Sequence, residues 1–181
     1  CTDGPGGEAT HLVVNPATMQ VTRLVVKETK APHVERLVPF KFVEDASADE
    51  IRLRCSRQEM SKMRGFVRTE IVETAWSYDG TRPTQTKKVK HLNIAEGELA
   101  VDTHTPVRVT DGKVGHIGEF IVDPASGSIT QLQLRRGHVW APKEISIPVA
   151  EVDRIGDRGV HLRMNRAGIE ALPATAARSR R

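Results

Sequence analysis

The sequence predicts an all-β protein built as two copies of one unit, each copy ending in a short helix. Three observations carry that prediction. Residues 110–135, TDGKVGHIGEFIVDPASGSITQLQLR, repeat residues 2–27, TDGPGGEATHLVVNPATMQVTRLVVK, without a gap and 108 positions later. Short apolar, β-branched runs alternate with Asp-Gly, Asn-Pro and Asp-Pro turn signals, a spacing that suits hairpins rather than helices. Each copy then closes on a helix-start signal followed by apolar residues three apart. The aligned identities are Thr2/Thr110, Asp3/Asp111, Gly4/Gly112, Gly7/Gly115, Val14/Val122, Pro16/Pro124, Ala17/Ala125, Thr22/Thr130 and Leu24/Leu132. Most are turn-formers or core-type apolar residues, which a backbone needs and a reaction does not.

In the first repeat, Asp3-Gly4 marks a turn and Leu12-Val13-Val14 a strand that meets Asn15-Pro16. Residues 21–26 are β-branched and apolar enough to return as a half-buried strand. In the second repeat Asp123-Pro124-Ala125-Ser126-Gly127 makes the same turn, and Gly127 supplies a residue that tolerates positive φ. After a polar loop, Leu37-Val38-Pro39 and Phe42-Val43 are answered by Ser146-Ile147-Pro148 and Val152, now 109 positions on. Ile51-Arg52-Leu53 and Val160-His161-Leu162 alternate as one-sided strands. Ser56 and Glu59 form a capping box ahead of Met60 and Met63; Asn165 caps the second helix, Ile169 and Leu172 form its face, and Pro173 stops it.

The two repeats differ at their starts. Residues 98–109, ELAVDTHTPVRV, give the second an opening strand from Leu99-Ala100-Val101 and Val107 to Val109. The first has no room for one before Cys1. A strand-forming segment of about ten residues is therefore expected upstream or from another chain, because an open edge at residues 12–14 invites pairing. Residues 73–97 are polar and mixed and read as a linker, which Trp76 and Tyr78 would pin to the body.

The order Thr-Asp-Gly, Gly, an apolar pair, Val, Asp/Asn-Pro-x-x-Gly and Thr-x-Leu continues into a basic loop, Ile/Val-Pro, Val, a last strand and a capped helix. This pattern resembles the PRC-barrel, shared by the cytoplasmic domain of the photosynthetic reaction-centre H subunit and the C-terminal domain of a bacterial ribosome maturation factor. The resemblance covers nearly all the chain, twice, except linker and tail. Residues 107–172 match better; the first repeat departs at Gly6 and at Met19, where Gly127 stands in the second. It implies two small, strongly bent β-barrels in tandem, each closed by a short C-terminal helix. The expected division is residues 1–72, a linker at 73–97, residues 98–173, and a basic tail at 174–181. The family also implies a non-catalytic binding or adaptor module of bacterial type, with no catalytic motif to carry onto residues here.

Composition narrows the function classes. Three of the four net positive charges are Arg178, Arg180 and Arg181, while the rest of the chain is close to neutral, so no basic binding face is implied. No apolar run approaches the roughly 20 residues that cross a bilayer, and no signal peptide is visible; the expected location is cytoplasmic, without membrane insertion. Cys1 is not an initiator Met, which points to a start upstream. Cys1 and Cys55 read as small apolar filler. The seven histidines form no metal-binding motif, and GKVGHIG lacks the Lys-Ser/Thr ending of a phosphate loop. Neither catalysis, a metal nor a cofactor is expected.

Interaction has more basis. If Leu12, Val14, Leu24 and Val26 face inward, alternation sends Val13, Val21 and Val25 outward, and Ile121 and Ile129 in the second repeat. These are candidates for packing between the repeats about a pseudo-two-fold axis, or for a protein partner or homodimer; cover from the repeat's own helix is the plainer alternative. Trp140, near a loop tip, is a further interface candidate. Lys87, Lys88 and Lys90 with the tail arginines motivate a second reading, association with RNA or the ribosome. A third, carried by the family alone, is a regulatory subunit on a photosynthetic or other electron-transfer complex.

Overall fold

The computed structural model describes residues 1–47, 49–74, 85–136 and 143–176. Among them the chain is mostly β, with two short α-helices. β1 (Gly7–Asn15) and β2 (Gln20–Glu28) form a hairpin, and β3 (Glu35–Pro39) pairs with β2. β4 (Val43–Ala46) and β5 (Ile51–Leu53) pair only with each other, ahead of helix α1 (Arg57–Ser61). β6 (Val67–Thr74) and β7 (Gln85–Leu92) make a separate ribbon, and β8 (Leu99–Val101) follows. The remaining strands are β9 (Pro106–Val109), β10 (Gly112–Val122), β11 (Ile129–Arg136), β12 (Lys143–Pro148), β13 (Val152–Gly156), β14 (Gly159–Leu162) and β15 (Ala174–Ala176). They form one sheet in the order β13-β14-β9-β10-β11-β12-β15, with helix α2 (Arg166–Ala171) before the last.

The shared residues have physical reasons. A Cβ on Gly7 would collide with the Lys27 carbonyl oxygen, and one on Gly115 with that of Arg135, so both hairpins need glycine where their strands close up. Each hairpin then slips register at equivalent points: between Ala9 and His11 and between Val13 and Val14 in one, between Ile117 and Glu119 and between Ile121 and Val122 in the other. These bulges bend the strands sharply. The Thr22 hydroxyl donates to the Val13 carbonyl at 3.3 Å and that of Thr130 to Ile121 at 3.0 Å. Asp3 accepts from the Arg57 amide at 2.8 Å and Asp111 from the Arg166 amide at 3.1 Å, so both aspartates fasten the repeat's start to the first turn of its helix. The Ser56–Glu59 capping box is complete, and Asn165 accepts from the Gly168 amide at 2.9 Å.

Three apolar clusters fill the interior of the described residues. Leu24, Val26, Val38, Val43, Leu53, Cys55 and Met60 form that of the first repeat. Burial of the Cys55 thiol raises its pKa, as suits a core filler. The largest cluster belongs to the second repeat, yet it includes Val14 and Val21 from the first. The third comprises Val13, Val25, Leu37 and Phe66, with Ile94 and Ala100 packed on it.

Several expectations change here. The edge at residues 12–14 is not open, because β8 pairs with it antiparallel: Leu12 faces Val101, Val13 faces Ala100 and Val14 faces Leu99. Residues 99–101 thus extend the first repeat's sheet, while only β9 opens the second. Val13 and Val25 do point away from the first repeat's interior, but they are fully buried beneath Phe66, Ile94 and Ala100 rather than offered to a partner. Their cover is the chain leaving and re-entering around the β6–β7 ribbon, not helix α1. Residues 85–92, read as linker, are a strand; residues 174–176, read as tail, pair with β12. Trp76, Tyr78, Trp140, Arg178, Arg180 and Arg181 lie outside the described residues.

Candidate interaction surfaces

Val21 and Ile129 occupy equivalent repeat positions and meet at the junction between the repeats. Val21 donates its amide to the Gly127 carbonyl at 2.9 Å, and Ile129 donates to the Met19 carbonyl at 2.9 Å. Gln20 and Ser128 form an antiparallel bridge between them. Since Met19 is the counterpart of Gly127 and Gln20 of Ser128, the contact is its own image under a local two-fold relation. Both side chains are nearly inaccessible, so this surface is already occupied. Met19 has φ 52° where Gly127 has φ 72°, so the junction holds a left-handed residue on each side even without glycine. Leu12 and Phe40 touch the cores of both repeats.

The β6–β7 ribbon is the second surface. Its base is tied down: the Asn93 amide donates to the Phe66 carbonyl and the Asn93 side chain to the Gly65 carbonyl, both at 2.8 Å. Along the ribbon Val67 pairs with Leu92, Thr69 with Lys90 and Ile71 with Lys88. Alternation puts Val67, Ile71, Leu92, Lys88 and Lys90 on one face. Ile71 is 62% exposed and Leu92 50%. Lys87 falls on the opposite face with Arg68, Glu70 and His91, where the Glu70 carboxylate lies 3.4 Å from His91. The three linker lysines are therefore split between the faces, Lys88 and Lys90 on that of Ile71 and Leu92, and Lys87 opposite Val72 on the other. Sequence reading missed the apolar face. The signal was the alternation of Val67, Thr69 and Ile71 with polar residues, with Asp79-Gly80 further on as a hairpin signal; residues 87–92 carry only Val89 and Leu92, which fall on opposite faces.

The third surface is a groove of about 1260 Å³ along the first repeat. One wall is the outer edge of β1 from Gly4 onward, another is Ile51 and Leu53 of β5, and the far wall is residues 117–122 of β10. Ile121 stands 40% exposed there, although its counterpart Val13 is buried. Leu24, Val26 and Met60 show at the groove floor.

No family model matches the chain, and no curated protein does. What can be said of function rests on the molecule itself. Among the described residues, no three His, Cys, Asp or Glu side chains group so as to hold a metal, and no helix is long and apolar enough to cross a membrane.

The electrostatics of these surfaces serve placement. Burial would raise the pKa of Glu98, but bonds from the Ala95 amide, Thr22 and Arg23 outweigh it and hold the carboxyl below its usual value. Glu98 thereby clamps β2 to the approach of β8. Burial lowers His116 first, and Lys113, with its ammonium 2.9 Å away, adds to the effect. Burial likewise lowers His161, with help from Arg154 and Arg108.

Proposed function

We propose that the protein is a non-catalytic protein-interaction or adaptor module built from two PRC-type barrels in tandem. The observation that carries this reading is the apolar face of the β6–β7 ribbon, where Val67, Ile71 and Leu92 stand exposed on an element that Asn93 ties down at its base. Apolar side chains gathered on a projecting ribbon suit burial against a second protein. The residues held in common by the repeats support it too, since Asp3/Asp111, Gly7/Gly115 and Thr22/Thr130 all serve the backbone. The barrel reading draws support from the paired bulges, which bend both hairpins in the same places.

The test is capture from a bacterial extract by the full chain and by the double variant Ile71→Asp, Leu92→Asp, with the bound proteins identified by mass spectrometry. Specific proteins held by the parent should be lost from the variant while both unfold at the same temperature. Identical capture by the two would refute the ribbon as the binding element.

Association with RNA or the ribosome is the second reading, favoured by Lys88 and Lys90 lying beside Ile71 on that face. It requires that Lys88→Glu, Lys90→Glu weaken binding to RNA and flatten its salt dependence. A regulatory contact with an electron-transfer complex is the remaining form of the same adaptor role.

A further inference from the structure

The groove along the first repeat has a filled counterpart in the second. There β9 runs between β10 and β14, pairing antiparallel with Gly112, Lys113, Gly115 and His116 and parallel with Val160 and His161. That one strand joins β13–β14 to the rest of the sheet. The corresponding positions in the first repeat are Gly4, Pro5, Gly7 and Glu8 on one side and Ile51 and Arg52 on the other. Among the described residues no strand lies between them, and β4–β5 is left as a detached ribbon. Cys1 already holds the place of Val109: the Thr2 amide donates to the Cys55 carbonyl at 3.1 Å, as the Thr110 amide does to Met164. The repeat relation supplies a second gap. β8 covers residues 12–14, whereas their counterparts at 120–122 have no strand on that edge among the described residues. Both gaps open onto the same groove.

The geometry points to this groove as a docking site for one extended polypeptide segment of the type found at residues 98–108. Its leading apolar residues pair antiparallel with residues 120–122, over Ile121, as β8 does with residues 12–14. Its trailing part passes between residues 4–8 and β5, as β9 passes between β10 and β14, and merges β4–β5 with the main sheet. Backbone hydrogen bonds to two free edges give the affinity, and the apolar floor of Leu24, Val26 and Met60 selects the alternating side chains. Polypeptide is favoured over a small ligand because what lies exposed is strand edge, a row of backbone donors and acceptors that matches the spacing of another strand.

The experiment titrates the full chain with a synthetic peptide, ELAVDTHTPVR, and follows backbone amide signals by NMR. Saturable one-to-one binding is expected, with shifts concentrated at residues 4–9, 51–52 and 120–122. A peptide with Asp at the places of Val101 and Val107 should bind at least tenfold more weakly. Ile121→Arg should weaken the parent peptide with no change in unfolding temperature, while Ile71→Asp should leave its binding unaltered. Absence of saturable binding, equal binding of the Asp peptide, or shifts confined to other surfaces would overturn the proposal. So would self-association that protects these same edges as protein concentration rises, since a second copy would then be the occupant.

Discussion

Asp3 joins two segments far apart in sequence with a single carboxylate. Its pKa is lowered, first by the Arg57 amide that donates to it and then by the Arg57 guanidinium. Glu59 is lowered by the Ser56 amide and hydroxyl, and Asp123 by the Ser126 hydroxyl and the Ala125 amide. The sign of the consequence follows from linkage. The unfolded chain takes up protons at a pH where these folded carboxylates are still ionised, so their stabilisation is complete above the unfolded values near 4 and is lost as pH falls through the folded ones. The unfolding temperature should therefore fall as pH drops below about 4. Asp3→Asn should lower it at neutral pH and make the acid limb shallower; an acid limb of unchanged slope would show that Asp3 carries none of it. The Ser56–Glu59 capping box and the Asp123-Pro124 turn were legible in the sequence, because both are local and neighbouring residues are enough to reveal them. The tie from Asp3 to Arg57 was not, since it spans 54 positions.

Equivalent strands in the two repeats do not have equivalent surroundings. Val13 and Ile121 sit at the same bulge of the same hairpin, yet Val13 is covered by Phe66, Ile94 and Ala100 while Ile121 looks into the groove. The same substitution should thus have two outcomes. Val13→Asp buries an unpaired charge and should cost more than about 4 kcal/mol, whereas Ile121→Asp should stay within about 1 kcal/mol. Denaturant unfolding of both variants checks this, and equal losses would mean that the outer faces are alike. The alternation that sends these side chains outward was readable from residue order. The cover was not, because it comes from Phe66 and Ala100, far along the chain. Nor did three residues such as Leu99-Ala100-Val101 carry any mark of which repeat they would join. The β6–β7 face was half legible: residues 67–72 alternate, but the polarity of residues 87–92, with Val89 and Leu92 on opposite faces, makes that stretch read as linker.

At the scale of the whole molecule the repeats share a core. Val14 and Val21 lie in the interior cluster of the second repeat, and β8, just ahead of that repeat, closes an edge of the first. The chain should accordingly unfold in one transition, with calorimetric and van't Hoff enthalpies equal. A fragment starting at residue 98 would expose the apolar surface that Val14 and Val21 cover and should melt well below the intact protein. Two resolved transitions, or a fragment as stable as the whole, would show independent halves. The duplication was visible from sequence because its turns recur in register, whereas the merging of its halves lies in contacts between residues far apart in the chain, such as Val14 with Leu99 and Gln20 with Ser128. The β6–β7 ribbon stands outside this cooperative body. Val67 and Leu92 face one another across the first rung, and Asn93 bonds back to Phe66. Path length between those two points is thus unconstrained by the architecture, and this doorway is where an ancestor carrying a short turn could have gained a new appendage without disturbing anything beneath it.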